Sequence, residues 1–149
     1  MKNIDQIDSE ILKILTEKGR ESHKKISEKL GYNKKIVKDR IRKLEEKGII
    51  KGYTAKINPE KTSYKITAFL KINTESSETK RAAKHLKKFN RVCEIHETVG
   101  DPELFIKIRD KNRKSISKFV EEKVSSFKEI SEVKITMSIE TYKEKLMDM

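Results

Sequence analysis

From Asn33 to Gly48 the chain reads N-K-K-I-V-K-D-R-I-R-K-L-E-E-K-G, with cations recurring at helical spacing. Lys35, Lys38, Asp39, Arg42 and Lys43 project from one side of such a helix, with Lys34 nearer its start, while Val37, Ile41 and Leu44 form an apolar stripe on the other. Asn33 is suited to cap the first turn, and Gly48 to end the helix in a left-handed conformation. Ammonium and guanidinium groups in this arrangement can pair with guanine O6 and N7 or neutralise phosphates, and spacing alone does not choose between the two. Asp39 can accept from a cytosine amine, or pair with Lys35 or Lys43, four residues away on either side. Arg40 falls at the edge of the apolar stripe, where a phosphate contact and an internal ion pair are both open. The stretch is expected to be a DNA-recognition helix with Asn33, Lys34, Lys35, Lys38, Asp39, Arg40, Arg42 and Lys43 at its surface.

Other reactive side chains do not assemble. Cys93 and His96 would share a strand, where residues three apart point to opposite faces. His23 and His85 fall on other elements, so no metal site is expected. Cys93, the single cysteine, is expected to be a small core residue. No Gly-rich phosphate loop, nucleophile–base pattern or pair of acids is apparent. Neither an enzyme nor a cofactor is expected.

The 149 residues suffice for one ordinary domain or two small ones. Thirty-six Lys and Arg against 24 Asp and Glu give +12, a balance that attracts nucleic acid or an anionic membrane surface. Residues 1–62 carry +7 and the remainder +5. Apolar runs are too short for a membrane span or a signal-peptide core, so a soluble, cytoplasmic protein is expected.

The elements that must position the basic helix can be read in order. Ile4, Ile7, Ile11 and Ile14/Leu15 make a helical stripe over about residues 5–17, with Asp5 at its cap. Ile26 and Leu30 mark a second helix from Ser22, and Gly31 permits a sharp turn into the third. This is a helix-turn-helix, in which the second helix of the pair enters the major groove and the first crosses the backbone. The alternation I-I-K-G-Y-T-A-K-I-N after Gly48 predicts a short strand, the wing, from which Lys51 or Lys56 could reach a phosphate. D-Q-I-D-S-E-I-L-K-I-L, K-I-S-E-K-L-G-Y-N and R-I-R-K-L-E-E-K-G-I-I-K-G-Y-T-A-K-I-N-P together resemble the signature of the Lrp/AsnC (leucine-responsive/asparagine, feast/famine) regulators. The resemblance implies a homodimeric transcription regulator, often assembled into larger rings, that frequently senses an amino acid.

The second half alternates strand and helix. Strands are expected at 66–74, 92–99, 104–109 and 133–139, and helices at 79–89 and 112–127. Val133, Ile135, Met137 and Ile139 should share one face of the last strand. The order βαββαβ is the ferredoxin-like unit, with two helices on one face of a four-stranded antiparallel sheet. The fold class is therefore α+β: a winged helix-turn-helix domain over 1–57, a linker over 58–65, and a ferredoxin-like dimerisation and effector domain over 66–149. Phe69, Phe105 and the stem of Lys107 lie on the open sheet face, too apolar for water, and sheet-to-sheet dimerisation would hide them.

The family resemblance places an effector motif at the turn 100–103, a Gly followed at three residues by Asp. Here Gly100 and Asp101 lead to Glu103, whose carboxylate sits one methylene further out, and Pro102 stands where the family often has an aromatic residue. An amino-acid ammonium could be held there, and a plain hairpin turn is the alternative. Two rival functions use the same half. An RNA-recognition motif also reads βαββαβ, but L-F-I-K-I-R-D lacks the Gly-aromatic fingerprint. An amino-acid-binding regulatory module leaves the helix-turn-helix unexplained.

Charged residues make up 40% of the chain, a usage that resembles heat-adapted surfaces, although an AT-rich genome gives the same Lys and Ile bias. Heat adaptation predicts a calorimetric unfolding midpoint above the mesophile range of about 45–65 °C; a midpoint inside it leaves genome composition as the cause.

Overall fold

The computed structural model describes residues 4–75 and 77–145. The chain forms two compact units, the first reaching to Ile57 and the second spanning Asn58–Tyr142. None of the helices among the described residues is long and apolar enough to cross a membrane.

The first unit is three helices around one core. α1 (Gln6–Glu17) starts at a capping box, in which the Asp5 side chain accepts from the Asp8 amide and the Asp8 carboxylate accepts from that of Asp5. α2 (His23–Leu30) is capped by Ser22 and ends at Gly31, whose φ of 72° is the left-handed conformation open to glycine. That residue turns the chain within two positions into α3 (Lys34–Glu46), capped by Asn33. Ile11, Leu12, Ile26, Val37, Ile41 and Leu44 are buried together, with Leu30, Tyr32, Ile49 and Ile50 packed at the margin.

The expected wing strand does not form. Residues 51–58 carry no regular secondary structure. Ladder partners for the alternating pattern are lacking among the described residues, and alternation without a partner strand satisfies no backbone groups. The segment is held instead by Tyr53, whose hydroxyl donates to Glu45 Oε1 at 2.8 Å. Burial of the phenol, aided by the Glu45 carboxylate, pushes the Tyr53 pKa up to about 12.

The second unit opens with a short 3₁₀ turn, Pro59–Lys61, capped by Asn58. Four antiparallel strands follow: β1 (Ile66–Thr74), β2 (Val92–Glu97), β3 (Leu104–Asp110) and β4 (Ile130–Met137), in the spatial order β2-β3-β1-β4. Between them run α4 (Thr79–Leu86) and α5 (Arg113–Phe119), the latter continuing through a π-helical turn, Val120–Val124. Ala68, Leu70, Ile72, Leu104, Ile106 and Ile108 face the helices, which contribute Ala82, Leu86, Ile116, Phe119, Val120 and Val124 to the same core. On the opposite face the Phe69 and Phe105 rings stack at 5.6 Å between centroids, and Lys107 Nζ bonds Glu94 Oε1 at 3.1 Å.

Several boundaries move from the expected ones. β4 begins at Ile130 and ends at Met137, because its ladder is set by pairing with β1 and not by its own alternation. Ile139 therefore lies beyond the strand and is fully exposed, and Ile135, on an edge strand, remains 37% exposed. Val99, likewise past the end of its strand, is exposed. The helix at 79–89 ends at Leu86. Cys93 is exposed and not a core residue: the register between β2 and β3 shifts between Val92 and Glu94, so the cysteine is the extra residue of a bulge.

Ile106 sits fully buried on β3, between β1 and β2. Ile106→Ala is expected to cost about 2–5 kcal/mol, read as a lowered urea midpoint. The exposed change Lys118→Ala should stay within about 0.5 kcal/mol. Equal midpoints for the two variants would contradict this placement of the core.

Candidate nucleic-acid interface

Val37, Ile41 and Leu44 are 0%, 3% and 1% exposed, so the rotation of α3 about its axis is set by which residues the core takes. Opposite them Lys34, Lys35, Lys38, Arg42 and Lys43 are exposed. Asn33 spends its side-chain oxygen on the Lys35 amide at 2.8 Å, which fixes where the helix starts. Lys34, Lys35, Lys38 and Lys43 make no ion pair among the described residues and present bare ammonium groups.

Three of the proposed contact residues are engaged within the molecule. Asp39 pairs with Arg42 at 3.9 Å, not with Lys35 or Lys43; the i, i+3 neighbour lies on the same side and its guanidinium reaches further round. Arg42 is shared with Glu46 at 3.8 Å, and both pairs are solvent-exposed and so weak enough to yield to a phosphate. Arg40 is different in kind. Its Nη1 bonds Asp5 Oδ2 and lies 3.4 Å from Asp8 Oδ1, which crosses from α3 to the capping box of α1. The internal pairing is the one realised, and Arg40 leaves the set of free cations. The Asp5 carboxyl is held below its usual value, chiefly by the Asp8 amide and then by Arg40, and Arg40 is raised in turn by Asp5.

Two features were missed in the sequence reading. Ile36, 44% exposed on α3, presents an apolar group about two turns before Lys43, the kind that meets a thymine methyl; its position off the buried stripe was the available signal. The sequence marks Asp5 as a cap residue only and does not single out Asp8, and nothing local reveals a partner 35 or 32 positions away.

In the second unit Gly100 has φ 103°, in the region that favours glycine. Asp101 is exposed, and the Asp101–Pro102 peptide bond is cis. The Thr98 amide donates to the Glu103 carbonyl at 2.9 Å, and the Thr98 hydroxyl to the Pro102 carbonyl. Glu103 does not simply point outward. Its Oε2 accepts from the Thr74 amide at 3.1 Å, tying the loop to the end of β1. Among the described residues no group of His, Cys, Asp and Glu is arranged to hold a metal ion.

Residues 67–147 match the model of the Lrp/AsnC ligand binding domain, and residues 4–51 that of a winged helix-turn-helix DNA-binding domain. The chain belongs to the Lrp/AsnC family. Its relatives include the HTH-type transcriptional regulator FL11 of Pyrococcus horikoshii, 36% identical over 79% of this chain and 78% of that protein. Another is the HTH-type transcriptional regulator Ptr1 of Methanocaldococcus jannaschii, 30% identical over 95% of each. In fold the chain is similar to E. coli AsnC (TM-score 0.89, 21% identity, covering 98% of this chain and 99% of that one). It is equally similar to a Neisseria meningitidis transcriptional regulator solved with L-methionine (TM-score 0.90, 20% identity, covering 97% and 95%). This Lrp/AsnC protein is a DNA-binding transcriptional regulator with an N-terminal helix-turn-helix and a ferredoxin-like second domain.

Arg40 is the natural probe of the site's rigidity. In Arg40→Ala the Asp8 carboxylate, its side chain 7% exposed, loses its cationic partner, at a cost of about 1–3 kcal/mol. Arg42→Ala removes only exposed pairs and should stay within about 0.5 kcal/mol. Denaturant unfolding of both measures the difference, and equal effects would remove the cross-link from the account.

Proposed function

We propose that this regulator acts as a dimer that lays α3 of each protomer in successive major grooves of a roughly palindromic operator. The observation that carries the reading is α3 itself: a helix locked by its buried stripe and by Arg40, presenting Lys34, Lys35, Lys38 and Lys43 unpaired. In this reading the residues near its start, Asn33 to Lys38 apart from the buried Val37, meet base edges, and Arg42 and Lys43 meet phosphates. Asp39 acts indirectly, by restraining Arg42 until a phosphate replaces it. Ile36 is the apolar contact. Half-sites then lie about 34–36 Å or a multiple apart. The protein works by binding, with no chemical step, in the cytoplasm.

Dimerisation through the open sheet face buries Phe69 and Phe105, and larger assemblies of such dimers fit the family. RNA stacking on the two rings is less favoured, since each already uses one face on the other. The loop of Gly100, Asp101 and Glu103 is the proposed effector site. Glu103, with one oxygen committed to Thr74, would offer the other to the ammonium of an amino acid. The relative solved with L-methionine supports that class of ligand.

Genomic footprinting tests the whole reading through operator sequence and spacing. Lys35→Ala and Lys38→Ala should each weaken operator binding and make it less salt-dependent, by about 0.9 in the logarithmic slope for each lost phosphate contact, without lowering the unfolding midpoint. Unaltered operator affinity in both variants would move the contact surface off α3.

A further inference from the structure

Charge in the second unit is sorted by layer. Between Thr79 and Phe89, α4 and the turn after it, stand five lysines and arginines and no carboxylate; between Lys111 and Lys128 there are six against two. Residues 79–89 and 111–128 thus carry +9 and the rest of residues 58–142 carries −4; with Glu78, the N-cap of α4, and Glu129, both paired with Arg81, counted in the layer the figures are +7 and −2. All eleven cations are exposed. Arg81 is paired with Glu78 and Glu129, Lys118 with Glu122, and Lys111 lies over the Tyr64 ring. Lys80, Lys84, Lys87 and Lys88 on and after α4, and Arg113 and Lys114 on α5, have no ion pair among the described residues.

A solvated surface does not account for this arrangement. Where this chain stabilises an exposed helix by charge, it alternates the signs: on α2 Lys24 pairs with Glu28, and Lys25 pairs with Glu21 just before the helix. On α4 the i, i+4 neighbour of Lys80 is Lys84, and like charges at that spacing are destabilising; Lys87 and Lys88 follow directly after its end. α4 runs about 12 Å at 1.5 Å per residue. Its back, Ala82 and Leu86, is fully buried against the sheet, so the cations cannot turn inward. Repulsion of this kind is relieved by an anionic partner.

We propose that the helical layer is a second, sequence-independent DNA surface, along which the duplex flanking the operator runs. The inference rests on the protein being a DNA-binding regulator, but not on which residues of α3 touch bases. Once the first unit holds its site, flanking duplex is at high local concentration for the same chain. It also carries one negative charge per roughly 1.7 Å. The proposed dimer uses the opposite face of the sheet, so the layer stays outward in it. Lysine ammonium groups are point charges without bidentate geometry, suited to phosphates and not to base reading.

The test uses the full chain and the variant Lys80→Gln, Lys84→Gln, Lys87→Gln, Lys88→Gln, on two duplexes. One carries only a site selected by the wild-type protein from a random pool; the other carries the same site with long flanks. On the flanked duplex the variant should bind several-fold more weakly, its logarithmic salt slope shallower by about 0.9 for each lysine that meets a phosphate. On the short duplex it should match wild type, with unchanged sedimentation and circular dichroism. Equal slopes on the flanked duplex would overturn the proposal, as would equal losses on both duplexes. Flank-independent binding combined with lysine-dependent retention of poly-L-glutamate would make the layer a protein-docking surface and overturn it too. Lys35→Ala, run in parallel, should weaken binding on both duplexes alike; unaltered affinity on both would count against the α3 reading while the flank comparison still stands.

Discussion

A helix that reads a groove must not turn about its own axis, since one residue of slip swings every side chain by about 100°. In this protein two interactions of different character prevent that slip. Val37, Ile41 and Leu44 bury a narrow stripe, which resists rotation because turning would expose apolar surface. Arg40 adds direction, because its bonds to Asp5 and Asp8 are made at one setting of α3 relative to α1. The capping box of α1 is thereby enlisted twice, to start its own helix and to orient another. The exposed cations inherit their positions from a buried apolar stripe and an internal ion pair.

The second unit works through the inequality of its two sheet faces. One face is closed by α4 and α5 over a continuous aliphatic core. The other presents two stacked phenylalanines among charged side chains. The helical cover and the rest of the unit also differ in charge, which a total of +5 for residues 58–142 conceals. Burial, pairing and charge are each distributed by layer in this unit. The 100–103 loop is fastened to β1 through Glu103 and Thr74, so a ligand held there would act on a strand of the central sheet.

Much of the architecture is legible in the chain. The three N-terminal helices, their caps at Asp5, Ser22 and Asn33 and the turn at Gly31 follow from local rules and agree with the structure to within a residue or so. The βαββαβ order and the inward residues of β1 and β3 are equally local in origin. The wing, by contrast, was inferred from alternation, and alternation states only which side of a strand would be apolar, not that a partner exists. β4 was shifted by its pairing with β1, and Cys93 was displaced by a register shift that no pattern announces. At the site, the cation face was visible as periodicity, whereas the partners of Asp39 and Arg40 were not.

What the sequence by itself determined is the set of faces: helical and strand periods sort residues into apolar and polar sides, and caps mark where elements begin. Those signals act over a few residues, so a single chain displays them without reference to its fold. Only the tertiary structure decided which charges are spent and which are free. Arg40 is drawn inside by carboxylates 32 and 35 residues away, while Lys35 and Lys38, five and two residues earlier on the same helix, remain exposed. An ion pair depends on distance in space, and separation along the chain carries no information about it until the chain has folded.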